Sequence, residues 1–134
     1  MWVFLACPAP GGGRPLDRFV GELGPEAENE LSAVLDILRA LERKYWTRPT
    51  FDLLHGKKYR GMGEIRFYGD NKTYRILGFF GPNRLQFTLL LGTEKKRSLK
   101  HEMDEASKRR KFAEENQQLL YAFTFETIPA RPAF

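Results

Sequence analysis

Apolar residues recur along this chain with two different periods, and the change from one to the other marks its organisation. A short apolar run, Trp2-Val3-Phe4-Leu5-Ala6, ends at Pro8, Pro10 and three consecutive glycines, as a strand entering a loop does. From Pro15 onward Leu16, Phe19, Val20 and Leu23 return every three or four residues, the spacing of one helix face. Gly24-Pro25 stops this short helix and opens another. The second helix is expected over residues 25–45, with Leu31, Val34, Leu35, Leu38 and Leu41 as its apolar stripe. Glu26, Glu28 and Glu30 suit its positive N-terminal end, and Arg43 and Lys44 suit the other.

After a connection over residues 46–61 the pattern becomes alternating or continuously apolar. Glu64-Ile65-Arg66-Phe67-Tyr68 alternates and is closed by Gly69-Asp70-Asn71, residues 73–80 follow and are closed by Gly81-Pro82-Asn83, and residues 84–91 form a third run. Three strands joined by two short turns predict an antiparallel meander, one face packed on helices and the other partly open. A last helix is expected over residues 98–118, capped by Ser98, with Leu99, Met103, Ala106 and Ala113 as a thin apolar stripe and Lys108-Arg109-Arg110-Lys111 on its polar face. Beyond it Tyr121, Phe123 and Phe125 alternate like a strand, while Pro129 and Pro132 point to an extended end. This tail either pairs with the sheet, docks a partner or frays. The pattern therefore predicts one α+β domain over residues 1–118 and a tail over 119–134.

Composition narrows the function. A chain of 134 residues can bury its own core, and its single Cys7 offers no intrachain disulfide. Cys7, His55 and His101 lie too far apart in sequence for the paired spacings of a zinc site, so neither a metal nor another cofactor is expected. No apolar run approaches a membrane span, and the first ten residues are too short and lack the basic start of a secretory signal. The expected address is the cytoplasm. The net charge of +5 is unevenly distributed, because residues 51–112 carry 15 basic and 7 acidic side chains while the flanks are slightly acidic. Such a segment draws in polyanions, or else it is the solvated face of an ordinary basic protein.

Side chains alternate across a strand, so Glu64, Arg66 and Tyr68 share one face while Ile65 and Phe67 share the other. With Arg75 on the adjoining strand and Lys95-Lys96-Arg97 after the third, these groups could assemble a pocket that binds a phosphate and handles protons. The plain alternative for Glu64 and Arg66 is an ion pair of little energetic value on an exposed sheet surface. Gly61-Met62-Gly63 reads as a turn, His101 as a surface histidine, and Cys7 as a small buried hydrophobe. His55 lies in a loop with Lys57, Lys58 and Arg60, which either touches backbone phosphates or is simply solvated.

The order strand, two helices, three-stranded meander, helix resembles the RelE/HigB superfamily of bacterial type II toxins, specifically its phage-derived HigB-like branch. Gly13-Arg14-Pro15-Leu16-Asp17-Arg18-Phe19-Val20 is similar to the branch's entry into its first helix. Gly63-Glu64-Ile65-Arg66 is similar to its Glu-Leu-Arg strand, Tyr74-Arg75-Ile76 to its Tyr-Arg-Val strand, and Leu90-Leu91-Gly92 with Lys95-Lys96 to its last strand and double lysine. Glu102-Met103-Asp104-Glu105-Ala106 is similar to the acidic start of its final helix, so the likeness spans about residues 2–115. Two departures border the site. Leu91 and Thr93 stand where the branch usually has His and Phe, and the stretch 96–106 is about two residues shorter.

The resemblance implies a RelE-like fold and an mRNA interferase, an endoribonuclease that cuts messenger RNA, commonly in the ribosomal A site. It also implies a cognate helix-turn-helix (HigA-like) antitoxin as partner. In such a metal-independent reaction the RNA 2′-OH attacks the neighbouring phosphate. By resemblance, Arg66 and Arg75 would stabilise the transition-state phosphate, Lys95 and Lys96 would bind phosphate with a proton-transfer role open to one of them, and Glu64 would be the base or the partner orienting Arg66. Tyr68 would stack on a base or position a proton. Lys57, Lys58, Arg60, Arg97, Lys108, Arg109, Arg110 and Lys111 would grip messenger or ribosomal RNA from outside. The alternative is a catalytically inactive phage-derived module of the same fold that binds nucleic acid or protein, and a blander one is an interaction protein whose basic segment meets an acidic partner.

Overall fold

The turn chemistry sets the centre of the sheet. Asp70 and Asn71 both take positive φ, 54° and 60°, as a two-residue hairpin requires. They join β3 (Met62–Gly69) to β4 (Lys72–Phe80), with Gly69 facing Lys72 and Arg66 facing Arg75. β5 (Gln86–Glu94) continues the meander. This computed structural model describes residues 1–94 and 98–128. β1 (Val3–Ala6) lies parallel to β5 and is followed by α1 (Pro15–Gly21) and α2 (Pro25–Ala40), which lead to β2 (Phe51–Leu53); β2 and β6 (Tyr121–Ala122) form antiparallel edges. The strand order is β2-β3-β4-β5-β1-β6, a mixed α+β architecture with a mostly antiparallel sheet.

α1 and α2 cover one face. Leu31, Val34, Leu35 and Leu38, the stripe predicted for the second helix, meet Phe4, Ile65, Phe67, Ile76 and Phe87 in the main core. Gly69 comes against the backbone of Ala27, so the β3–β4 hairpin rests on the first turns of α2. α3 (Lys100–Glu115) covers only part of the opposite face, where Ala106 and Ala113 lie with Met62, Leu77, Phe79, Leu90 and Leu91. A register shift at Leu77/Gly78 leaves Leu90 as the extra residue, and Leu90 and Leu91 both join this second cluster.

Several boundaries differ from the sequence expectation. α2 ends at Ala40 and not at Tyr45, because Leu41 is extended and two indoles take the final carbonyls: Trp46 Nε1 donates to Leu38 at 3.0 Å, and Trp2 Nε1 to Leu41 at 2.9 Å. The connection over residues 46–61 contains β2 and a short 3-10 turn, Lys57–Tyr59. β5 runs on to Glu94, past Gly92, where the Phe19 ring of α1 occupies the space of a Cβ. α3 has Leu99, not Ser98, as its N-cap, although Ser98 Oγ accepts from the Lys100 N–H at 3.4 Å. It ends at Glu115 and not near 118, where the Asn116 side chain donates to the Phe112 carbonyl at 2.9 Å.

The segment after α3 returns to the sheet. Tyr121 and Ala122 pair with Ala6 and Leu5, the Phe123 N–H donates to the Phe4 carbonyl at 2.8 Å, and the Phe123 ring is buried. Tyr121 donates its hydroxyl to Asp17 at 2.6 Å, while the Arg14 guanidinium lies over its ring. Burial, then the bond to Asp17, pushes the Tyr121 hydroxyl well above its ordinary pKa. No helix among the described residues is long and apolar enough to cross a membrane.

Candidate functional site

The face of the sheet under α3 is divided. Its covered part holds Met62, Leu77 and Phe79, and two residues further along the same strands the same alternation delivers Glu64, Arg66 and Arg75. Register brings these three together with Asp52, which pairs with Glu64 across β2–β3. Like charges directly opposite one another destabilise a sheet, and Arg66 faces Arg75. The Glu64 carboxylate resolves the conflict. Its Oε1 accepts from Arg66 Nη2 at 2.6 Å and Nε at 3.1 Å, and its Oε2 accepts from Arg75 Nη1 at 3.0 Å.

The row continues outward. Asp52 Oδ2 accepts from Arg66 Nη2 at 3.3 Å and from Arg48 Nε at 3.0 Å, and forms an ion pair with Arg48 Nη2 2.9 Å away. Arg48, Asp52, Arg66, Glu64 and Arg75 thus alternate in sign and sum to one positive charge. The Glu64 side chain is only 5% exposed, Arg75 15% and Arg66 28%, so this is not the weak pair on an open surface that the plain alternative supposed. Burial opposes ionisation of Asp52, but the hydrogen bond from Arg48 and the charges of Arg48, Arg66 and His55 outweigh it and hold its carboxyl below the usual value. Both Glu64 oxygens are committed to guanidinium donors, whereas the buried Nε of Arg75 has no acceptor among the described residues.

A cleft of about 350 Å³ opens beside the row, lined by Glu30 and Val34 of α2, by Pro49 and Thr50, and by Arg66, Tyr68, Thr73 and Arg75. It exists because β2 begins only at Phe51, so the outer edge of β3 is uncovered beyond Arg66, whose N–H donates to the Thr50 carbonyl. Tyr68 stands exposed at this edge. Two guanidinium groups, a cleft beside them and an exposed ring suit an anion with an attached aromatic group.

Other residues singled out from sequence are placed elsewhere. Lys95, Lys96 and Arg97 lie outside the described residues. Lys57 and Arg60 are exposed, and Lys58 pairs with Asp104 at 2.8 Å. The bond from Lys58, then that from the Tyr59 hydroxyl, pushes the Asp104 carboxyl down to about 2. The run 108–111 is not one polar face. Lys108 and Lys111 are exposed, but Arg109 donates to the Leu90 carbonyl at 3.0 Å, and Arg110 lies over the Phe79 ring and donates to the Arg60 carbonyl. Phe79 is four residues from Arg75 along β4, roughly 13 Å at the rise of a strand, so these arginines hold α3 to the sheet away from the charged row. His101 is exposed. Cys7 is half-buried beside a small apolar pocket, and burial raises its thiol pKa.

Sequence reasoning missed Arg48 and Asp52. The signal was Phe51-Asp52-Leu53, an alternation three residues long inside a segment read as a connection. Among the described residues no group of three or more His, Cys, Asp or Glu side chains is placed to hold a metal ion.

No curated protein and no solved structure matches the chain at a significant level. A family model, Phage derived protein Gp49-like (DUF891), matches residues 18–111, a span that runs from within α1 into α3 and includes every member of the charged row. The chain therefore belongs to this phage-derived, RelE-like toxin family.

Proposed function

We propose that the chain is the toxin of a type II toxin–antitoxin pair in the HigB-like branch, an mRNA interferase working in the cytoplasm on messenger RNA at the ribosome and neutralised by a HigA-like antitoxin. The observation that carries this reading is the facing pair Arg66 and Arg75, held by the buried Glu64 carboxylate at the side of an open cleft. In the reaction the RNA 2′-oxygen loses its proton and attacks phosphorus, the bond from phosphorus to the 5′-oxygen breaks, and that oxygen takes up a proton. The products are a 2′,3′-cyclic phosphate and a free 5′-OH.

Arg66 and Arg75 hold the non-bridging oxygens as charge develops on them, which supplies the stabilisation a metal would otherwise give. Glu64 acts as the orienting carboxylate, since serving as a base would require it to release a guanidinium. Proton transfer then falls to Lys95 and Lys96, and Tyr68 stacks on a base. Lys57, Lys58, Arg60, Arg97, Lys108 and Lys111 add long-range attraction to RNA.

Expression of the wild type and of Arg66→Ala/Arg75→Ala in bacterial cells, with the 5′ ends of message fragments mapped by sequencing, tests the reading. Cuts at defined codon positions that vanish in the double variant are expected. Intact messages and normal growth with folded wild-type protein would instead favour the inactive binding module. One observation speaks for that module. Leu91 is buried under α3 and Thr93 donates to the Glu94 carbonyl, so neither position that departs from the branch offers an ionisable group.

A further inference from the structure

Arg48 and Asp52 have no part in the bond-making chemistry, yet they are joined to it. Asp52 Oδ2 receives donors from both Arg48 and Arg66, which brings a second guanidinium to within hydrogen-bond reach of the oxygen that Arg66 already touches. Without Arg48 the row would be neutral. With it the row carries one net positive charge, so Arg48 supplies the charge that makes the row attractive to a phosphodiester chain. Arg48 is also the outermost member, its side chain 71% exposed, and the two residues that follow it, Pro49 and Thr50, line the cleft.

An exposed arginine–carboxylate pair contributes little to folding, so exchanging the carboxylate for a phosphate costs little, and a guanidinium can meet phosphate with two parallel donors. We propose that Arg48 forms a second phosphate subsite, taking the RNA phosphate next to the one held by Arg66 and Arg75, and that Asp52 holds it at the cleft rim until RNA arrives. The inference rests on the RNA-cleaving reading and adds to it the binding of a neighbouring nucleotide.

The test uses the full chain and a 2′-O-methyl single-stranded RNA, which lacks the attacking hydroxyl. Its affinity is measured across a series of salt concentrations for the wild type, Arg48→Ala, Arg48→Lys and Arg84→Ala, the last an exposed arginine remote from the row. Each phosphate contact to a single strand contributes about 0.7 to the slope of log K against log salt. Arg48→Ala is expected to bind several-fold more weakly with a slope smaller by about that amount, Arg48→Lys to keep the slope, and Arg84→Ala to change neither. A wild-type slope in folded Arg48→Ala would overturn the subsite and leave the RNA reading standing. Wild-type binding that is absent or insensitive to salt would overturn both.

Discussion

Replacing Glu64 by Gln keeps the size of the side chain and removes the charge between two facing guanidinium groups. Taking one partner from a fully buried ion pair costs about 3–5 kcal/mol, because the remaining charge is left in a poor solvent. Here the remaining charges are partly wet, at 28% exposure for Arg66 and 15% for Arg75, so water recovers some of the loss. The repulsion between directly opposed arginines adds roughly 0.2–1 kcal/mol. The expected net cost is about 2–3 kcal/mol, within a total stability of about 5–15 kcal/mol for a domain. The variant therefore stays folded but melts earlier by roughly 8–12 °C.

Urea unfolding followed by tryptophan fluorescence measures this directly, since Trp2 and Trp46 are buried with ring centroids 5.0 Å apart and report loss of the core. A second variant separates charge from packing: Glu64→Gln with Arg75→Met removes both members of one pair and should recover part of the loss. A Glu64→Gln protein within about 0.5 kcal/mol of wild type, at an unchanged denaturant slope, would refute the clamp. If that same stable variant had lost RNA cleavage, Glu64 would be the base after all.

Gly69→Ala would place a Cβ 2.5 Å from the Ala27 Cα, where only backbone can yield, and calorimetry should show a loss of about 1–3 kcal/mol. Phe123→Ala empties a core position reached from the tail and should cost about 3–5 kcal/mol in urea unfolding, whereas a dispensable tail would leave stability unchanged. Acid should loosen α3 where it meets the loop before β3. The Asp104 carboxyl is lowered to about 2, below the ordinary aspartate value, so the stability from its bonds to Lys58 and Tyr59 is complete above that ordinary value and disappears as pH falls toward 2. Hydrogen exchange in α3 over that window should rise in the wild type, and Asp104→Asn should remove the component due to this group.

The parts of the fold visible in sequence are those that local rules decide. The Leu31, Val34, Leu35 and Leu38 stripe is buried as its spacing requires, and Asp70 and Asn71 make the turn their residue types favour. What escaped depends on distant groups. Nothing near Leu41 marks the end of α2, because the stop comes from the indole of Trp2, 39 residues away, and from Trp46. β2 and β6 are three and two residues long, too short for a period to show, and each exists through the strand beside it. Arg109 and Arg110 have the composition of a solvated face, and only the Leu90 carbonyl and the Phe79 ring make them packing residues. For the site, alternation placed Glu64 with Arg66, but the junction with Arg75 needs the strand register, and the addition of Arg48 and Asp52 needs β2.

That register also couples stability to anion binding. Asp52 and Glu64 neutralise two of three guanidinium charges, and part of the sheet face beside them is sealed by the alanines of α3, so field lines on that side run through material less polarisable than water. The carboxylates that make the arginine pair tolerable therefore also limit how strongly it draws phosphate. Glu64→Gln raises the net charge of the row from +1 to +2 while loosening the strand pair beneath it. Fold stability should fall, and affinity for uncleavable RNA at low salt should rise, with a steeper salt slope. A variant that was merely disordered at the site would lose both. Opposite signs of the two changes, measured on the same preparation, distinguish a charge-tuned phosphate site from a structural ion pair that happens to lie beside a cleft.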